Sequence, residues 1–428
     1  MRCFYRHKKC ILLILVLWML VFGYLFWQLG SHEESYDDVT LLWWNYMPSS
    51  YKDARFCGKY WCKFVGDQSM LEKSKAILIY GSNIKVENMP LPRLPKHMWA
   101  LLHEESPRNV PFMPYVDVLK HFNYTATFSR FSDLPLTTQY LPNVGDLTNS
   151  TYLVPVQKKS ANKAIAPIIF LQSNCDTMSG REDYVRELMD YIQIDSYGNC
   201  MHNRDLSKDL QKDYLNNLYS PQLYRLLGKY KFVLAFENGV CDDYITEKLW
   251  RALIVGSIPI YFGAPNIKDW VPNAKSVIFI DDFDSPKDLA EFIKNLNKND
   301  VEYNEYLAHK YNRLHPIENL HLKQELATRV YSENGKSLFA AFECGVCQRL
   351  HQLDEFGSRV AHIKHYNCPL PLVYPKMRTK VKNDWNSIMS IGKCQAQLFD
   401  ELMQLNESFT KAEWLSILNE RVETGLCD

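Results

Sequence analysis

Residues 232–262 read FVLAFENGVCDDYITEKLWRALIVGSIPIYF, and their pattern sets the fold class. Phe232–Phe236 and Ile258–Phe262 are short, apolar and rich in branched and aromatic side chains, as buried strands are. Thr246–Val255, between them, has helical spacing, with Thr246 placed to cap it. A strand, a helix and a strand in succession imply parallel strands joined by a crossover. The alternation extends outward. Pro167–Leu171 and Ser276–Ile280 are strand-like, while Glu182–Ile192, Gln211–Leu227 and Pro286–Leu296 are helical. The expectation is an α/β fold in which a parallel sheet carries helices on both faces and binds ligands at the carboxyl ends of its strands. Toward the N-terminus, Lys75–Tyr80 and Met98–Leu102 read as buried strands among Pro-rich turns, and Pro90-Leu-Pro-Arg-Leu-Pro95 as an extended connector. Lys158–Lys163 is the expected linker between the two halves, and no internal repeat is visible.

The length of 428 residues suggests two domains with an appendage. Hydrophobic content of 46% with 23% charge is ordinary for a globular chain, which excludes a disordered or collagen-like one. The 49 basic residues balance 49 acidic ones, so there is no basic footprint for nucleic acid. Aromatic content of 13% suits a large core, and also carbohydrate-facing surfaces.

Arg2, Arg6, Lys8 and Lys9 precede an uncharged apolar run, Ile11–Leu29, and Glu33-Glu34 follow it. Nineteen residues at helical rise cover about 28 Å, enough to cross a hydrocarbon core. Tyr24, Phe26 and Trp27 suit the membrane interface better than a cleavage site does. The expectation is a type II signal-anchor at 11–29, with a cytosolic tail at 1–10 and a short stem at 30–40. A cleaved signal is the alternative. The rest of the chain is then lumenal, in the Golgi or the endoplasmic reticulum, and carries 45 basic against 49 acidic residues.

Lumenal placement also divides the twelve cysteines into two cytosolic and ten lumenal, an even number in oxidising surroundings. Cys344-Gly-Val-Cys347 is open to a zinc or redox reading. No second close pair completes a zinc set, so a structural disulfide is expected, with Cys57 and Cys62 as further candidates. Asn123, Asn149 and Asn406 begin N-glycosylation sequons.

Four sites carry candidate chemistry. Thr246-Glu247-Lys248 opens a helix just past a strand, where free N–H groups, the helix dipole and a lysine can meet a diphosphate; a capped helix start is the plainer reading. Arg181, beyond the preceding strand, can supply a planar fork of donors to the same anion. Glu104 and Glu105, just past Met98–Leu102, suit general-base work at a cleft rim, or form an acidic turn before Pro107, while His103 reads as a turn or core residue. Asp282 and Asp284 form a D-x-D pattern that could hold a metal, although Asp284 or Ser285 capping the next helix, with Pro286 at its first position, is simpler.

Taken together, Phe236-Glu-Asn238, Asp243-Tyr-Ile-Thr-Glu-Lys-Leu-Trp250 and Gly256-Ser-Ile-Pro-Ile-Tyr-Phe-Gly263 resemble the donor-site signature of the α-1,3-fucosyltransferase family, glycosyltransferase family ten. Glu105-Ser-Pro107, Phe122-Asn-Tyr-Thr125 and Asp195-Ser-Tyr-Gly-Asn-Cys200 match in the same order. Glu104-Glu-Ser-Pro107, Leu136-Thr-Thr-Gln-Tyr140 and the Cys-rich C-terminus most resemble a divergent branch, similar to protein O-fucosyltransferases acting on EMI modules.

The resemblance implies a GT-B fold, two Rossmann-like domains facing a cleft: 41–157 on the acceptor side, 164–343 for GDP-β-L-fucose, and a Cys-rich extension at 344–428. It implies inversion without an essential divalent metal or other cofactor. Glu105 would be the general base, with Glu104 as its rival. Arg181 and Lys248 would hold the diphosphate, and Asn238, Tyr244 and Glu247 would surround fucose, ribose and guanine. Phe128-Ser-Arg-Phe-Ser-Asp133 departs from the Lewis-antigen-type members, which puts the acceptor in question. Transfer to Ser/Thr of a folded Cys-rich module is the leading expectation, and α-1,3 transfer to GlcNAc of N-glycans or glycolipids the first alternative. An inactive lumenal carbohydrate-binding or folding-assistance protein, and a metal-dependent GT-A enzyme, are the others.

Overall fold

A computed structural model describes residues 39–46, 48, 53–211, 217–332, 337–352, 359–368 and 384–427. The expected tail, anchor and stem at 1–10, 11–29 and 30–40 lie outside these residues, apart from the last two stem positions. No helix among those described is long and apolar enough to cross a membrane.

Two sheets organise the chain. The first has seven strands: β1 Val39–Trp43, β2 Ala54–Cys57, β3 Tyr60–Val65, β4 Ala76–Tyr80, β5 Met98–His103, β6 Tyr124–Thr127 and β7 Leu134–Pro135. Their order is β2-β3-β1-β4-β5-β6-β7, parallel except for the β2–β3 hairpin. The second is wholly parallel, in the order β12-β11-β10-β8-β9. It comprises β8 Ile168–Phe170, β9 Ile194–Ser196, β10 Phe232–Phe236, β11 Ile258–Phe262 and β12 Ile278–Phe279. Parallel strands need cover on both faces, and their side chains alternate between the two.

In the second sheet, Val233, Ala235 and Tyr261 face one core with Leu249, Trp250 and Leu253 of α5 (Glu247–Val255). Phe232, Leu234 and Phe236 face the other, with residues of α3 (Arg181–Met189) and α6 (Pro286–Lys298). In the first sheet, Leu42, Ile77, Trp99 and Leu101 pack on α1 (Val116–Leu119) and on Leu398, Phe399, Trp414 and Leu418 of α8 (Trp385–Leu405) and α9 (Lys411–Thr424). Leu41, Trp43, Leu78 and Ala100 pack on Phe342 and Val346 of α7 (Leu338–His351).

Several expectations are corrected by this packing. The described helices of the expected extension at 344–428 cover both faces of the first sheet, and the expected boundary at 343/344 falls inside α7. The expected linker Lys158–Lys163 is largely helical, in α2 (Val156–Ala161). Its Lys159 is buried, donating to the carbonyls of Tyr230 and Gly256 at 2.9 and 2.7 Å, a role its charged sequence context concealed. Gln211–Leu227 is not one helix. Ser220 caps a new start and Pro221 takes its first position, so α4 runs Pro221–Leu227. The strand expected at Ser276–Ile280 is two residues long and passes into a 3₁₀ turn.

All ten cysteines expected in the lumen are paired: Cys57–Cys344, Cys62–Cys347, Cys175–Cys200, Cys241–Cys368 and Cys394–Cys427. Cys344 and Cys347 lie one turn apart on α7, and each reaches across to the β2–β3 hairpin. The pair is thus neither a zinc site nor an internal redox couple. Among the described residues, the cluster Cys62, Cys347 and His351 has metal-like spacing, but its two thiols are joined in a disulfide.

Asn123 also faces inward. Its side-chain carbonyl accepts from Arg93 and Trp99, its amide donates to the Arg359 carbonyl, and Thr125 is buried, so the half-buried Asn123 side chain is engaged within the folded chain. Asn149 is half-buried beside Asp146. Asn406 is exposed and ends α8 in the left-handed region.

Candidate active site

The site forms where the carboxyl ends of the two sheets meet. Beyond β10 lies Glu237, fully buried. Its carboxylate accepts from the backbone N–H and hydroxyl of Thr246 at 2.8 and 2.7 Å, and the Lys248 ammonium sits 3.3 Å away. Thr246 caps α5, so one carboxylate ties the strand end to the helix start. Gly263 permits this closeness, since a Cβ there would come within 2.7 Å of Glu237 Cγ.

Lys248 also lies 3.3 Å from Glu247, which pairs with Arg251 at 3.4 Å. Burial alone would raise the Glu247 carboxyl, but Lys248 and Arg251 outweigh it and hold it at about 2. For Lys248 the balance is reversed: burial opposes its charge, and Glu237 and Glu247 more than restore it. Arg181 opens α3, buried, with one nitrogen on the Phe236 carbonyl at 2.7 Å. Its Nε is buried with no partner among the described residues, a donor left over by the protein itself. The buried Arg181, the partly buried Lys248 and the N-terminus of α5 therefore converge on one strand end, an arrangement suited to a multiply charged anion.

The loop after β5 faces this cluster from the other sheet. Glu105 lies 3.3 Å from the Tyr244 hydroxyl, which donates to it. Burial raises the Glu105 carboxyl above its usual range, while Lys248 pulls it back. Glu104 accepts from the Tyr80 hydroxyl at 2.5 Å through one oxygen, its other oxygen has no partner among the described residues, and no cation acts on it. The cation-facing carboxylate is thus Glu105, and the rival is engaged elsewhere. His103 is fully buried and driven by burial to about 3, so it is neutral and packs on Tyr366.

Other bonds cross between the sheets. Ser106 donates to the side-chain carbonyl of Asn238 at 2.8 Å. Arg130 reaches Asp243 at 2.6 Å and Asp269 at 2.9 Å, and lies over the Trp270 ring. Asp243 has φ of 64°, a left-handed conformation held by Arg130, Asn266 and Trp270. The structure thus brings Glu105, Asn238, Tyr244, Glu247, Lys248 and Arg181 to one place. Asp282 and Asp284 are elsewhere, beyond β12, and Ser285 caps the helix that follows.

Sequence reading assigned no role to Glu237, Ser106, Asp243 or Tyr366. The available signal for Glu237 was an acid directly after five buried strand residues, a costly position unless paired.

Two cations at the strand ends of one parallel sheet, with a carboxylate facing them from another, make an anion-binding α/β site with a candidate base. The chain belongs to glycosyltransferase family 10, the fucosyltransferases. Residues 158–366 match the profile described as "Glycosyltransferase family 10 (fucosyltransferase) C-term", and residues 36–140 that described as "Fucosyltransferase, N-terminal". It is 50% identical over 400 residues to "Alpha-(1,3)-fucosyltransferase B" of Drosophila melanogaster, covering 91% of this chain and 90% of that one. It is 38% identical over 411 residues to "GDP-fucose protein O-fucosyltransferase 3" of Homo sapiens, covering 92% and 84%. A crystal structure of an α1,3-fucosyltransferase with GDP-fucose aligns over 76% of this chain and 92% of that one, at 16% identity and a TM-score of 0.44.

Proposed function

We propose that this chain is an inverting, GT-B-type fucosyltransferase of the secretory pathway, transferring L-fucose from GDP-β-L-fucose to Ser/Thr of a folded, Cys-rich protein module. The observation that carries the reading is Glu105, which accepts from the Tyr244 hydroxyl at 3.3 Å, is raised by burial and is drawn back by the Lys248 cation. In the reaction, the Glu105 carboxylate takes the acceptor hydroxyl proton. The freed oxygen bonds to the anomeric carbon as its bond to the diphosphate breaks on the opposite face, which inverts the centre. The charge that develops on departing GDP falls to Lys248, the free Arg181 donor and the α5 N-terminus. Tyr244 and Asn238 hold sugar and nucleotide between the sheets, with Glu247 beneath Lys248.

The names of the O-fucosyltransferase relatives support a protein acceptor. The Drosophila relative's name supports the α-1,3 linkage of the second reading. The cationic start and the run at 11–29 support a single-pass type II anchor in the Golgi or endoplasmic reticulum.

The test incubates the purified enzyme and GDP-fucose with a folded EMI-type module and, separately, with a GlcNAc-terminated glycan. Label is expected on the module, and label on the glycan alone overturns the acceptor assignment. Glu105→Gln is expected to bind GDP-fucose and transfer none, while Lys248→Ala weakens donor binding.

A further inference from the structure

The segment Phe128-Ser-Arg130 follows β6 in the first sheet, takes no part in the chemistry above, and grips residues that orient Glu105. The Arg130 Nε donates to both carboxylate oxygens of Asp243 at 2.8 and 3.1 Å, and its Nη2 bridges Asp243 at 2.6 Å and Asp269 at 2.9 Å. The Arg130 backbone N–H adds a further bond to Asp243 at 2.9 Å. Asp243 is buried, and Asn266 and Trp270 are neutral donors to the same carboxylate. Among the described residues, Arg130 is the cation paired with it. A buried charge on a left-handed backbone depends on such a partner, because the charge and the φ of 64° each cost free energy.

Asp243 directly precedes Tyr244, whose hydroxyl donates to the Glu105 carboxylate. The same segment reaches Tyr244 a second way: the Phe128 ring meets the Tyr244 ring edge-on, 5.1 Å between centroids. Phe128 also packs at 4.8 Å on Tyr366, whose hydroxyl donates to the Glu105 carbonyl. Tyr244 is thus held on its backbone side by Arg130, through Asp243, and on its ring by Phe128. From the second domain Lys248, Glu247, Tyr244 and Glu237 act on the Glu105 carboxyl. In its own domain Glu104, Tyr80, Tyr140 and Tyr366 feel its charge. Among the described residues, Tyr244 is the one with a hydrogen bond to that carboxylate.

Resting on the reading of Glu105 as the base, we propose that Arg130 is a positioning residue: by holding Asp243 across the cleft it sets the Tyr244 hydroxyl against Glu105. Weakening the Tyr244 bond disfavours the ionised carboxylate, so the acid limb of kcat/KM moves to higher pH. One hydrogen bond of ordinary strength corresponds to about 0.5–1 pH unit.

The test compares pH profiles of kcat/KM for the full chain, Arg130→Gln, Asp243→Asn, Tyr244→Phe and the double variant Arg130→Gln/Tyr244→Phe. The first two substitutions change charge in opposite directions. Acting only through space, loss of the Arg130 cation would raise the Glu105 pKa and loss of the Asp243 anion would lower it. Loss of positioning instead moves both limbs upward, and the Arg130→Gln shift disappears in the Tyr244→Phe background. Asn tolerates the left-handed conformation, so Asp243→Asn reads the effect even if Arg130→Gln fails to fold. Arg130→Lys keeps the charge without the planar fork and is expected to move the limb partway. An unmoved limb, limbs moving in opposite directions, or additive shifts overturn the positioning role while leaving Glu105 as the base. A rate that does not fall in acid, with full transfer by Glu105→Gln, overturns both readings.

Discussion

The Tyr366 hydroxyl donates to the backbone carbonyl of Glu105, so a residue distant in sequence fixes the loop that carries the candidate base. Its neighbours hold the opposite side of the cleft: Asn367 bonds Asp242, and Cys368 is joined to Cys241, on the loop leading to Tyr244. Three consecutive residues therefore hold the base and the donor loop in one relative position. Base and leaving-group contacts must be correct together, because small misplacements cost large rate factors.

Tyr366→Phe leaves the Glu105 carbonyl without this donor, a loss of about 1–3 kcal/mol where no replacement forms. Turnover with saturating substrates should fall while the Kd for GDP-fucose holds. Equal loss of affinity and turnover would show that Tyr366 acts on the donor site as a whole.

The acid limb of transfer should lie above the ordinary carboxylate range. Burial raises the Glu105 carboxyl, and a base works only when ionised, so the rate falls as pH drops through its pKa. Tyr244→Phe removes a donor that favours the ionised form and should move that limb to higher pH. A pH profile of kcat/KM measures the shift, and movement in the opposite direction would be inconsistent with Glu105 as the base.

Glu237→Gln should lower stability rather than merely alter binding. Removing one partner of a buried ion pair leaves the other uncompensated, a cost of about 3–5 kcal/mol. Glu247 still faces Lys248, so the lower end is expected. Thermal unfolding without GDP-fucose reads the effect.

Transfer should persist in EDTA, and the variant Asp282→Ala/Asp284→Ala should match the wild type. In the proposed mechanism Lys248, Arg181 and the α5 N-terminus supply the positive charge for the departing diphosphate. Loss of activity in EDTA, restored by added Mn²⁺, would return the D-x-D reading to consideration.

Replacing Cys62 and Cys347 together by Ser should destabilise the first domain by about 2–5 kcal/mol, as the loss of a native disulfide does. A melting temperature equal to the wild type's would mean that packing of α7 alone holds the hairpin.

The second sheet was legible because its elements are local. β10, α5 and β11 follow one another, and each has the composition of its environment, so periodicity and caps locate them within a residue or two. The first sheet was less so. Its β2–β3 hairpin has exposed and half-buried positions, and β7 spans two residues, too few for any periodic signal. Lys159 misled for a related reason: a lysine among lysines looks solvated, and only the surrounding carbonyls reveal that it is enclosed.

By itself, then, the sequence determined the α/β class, the parallel arrangement around residues 232–262, and the cap and helix start at Thr246. These depend on near neighbours and short-range periodicity. The tertiary structure alone decided which cysteines pair, which of Glu104 and Glu105 faces the cations, and that α7, α8 and α9 cover the first sheet. Each of those is a contact across a large sequence separation, as between Cys57 and Cys344 or Tyr366 and Glu105. Local pattern carries no information about which partner packing will bring near, and burial sets the charge state only after the chain has folded.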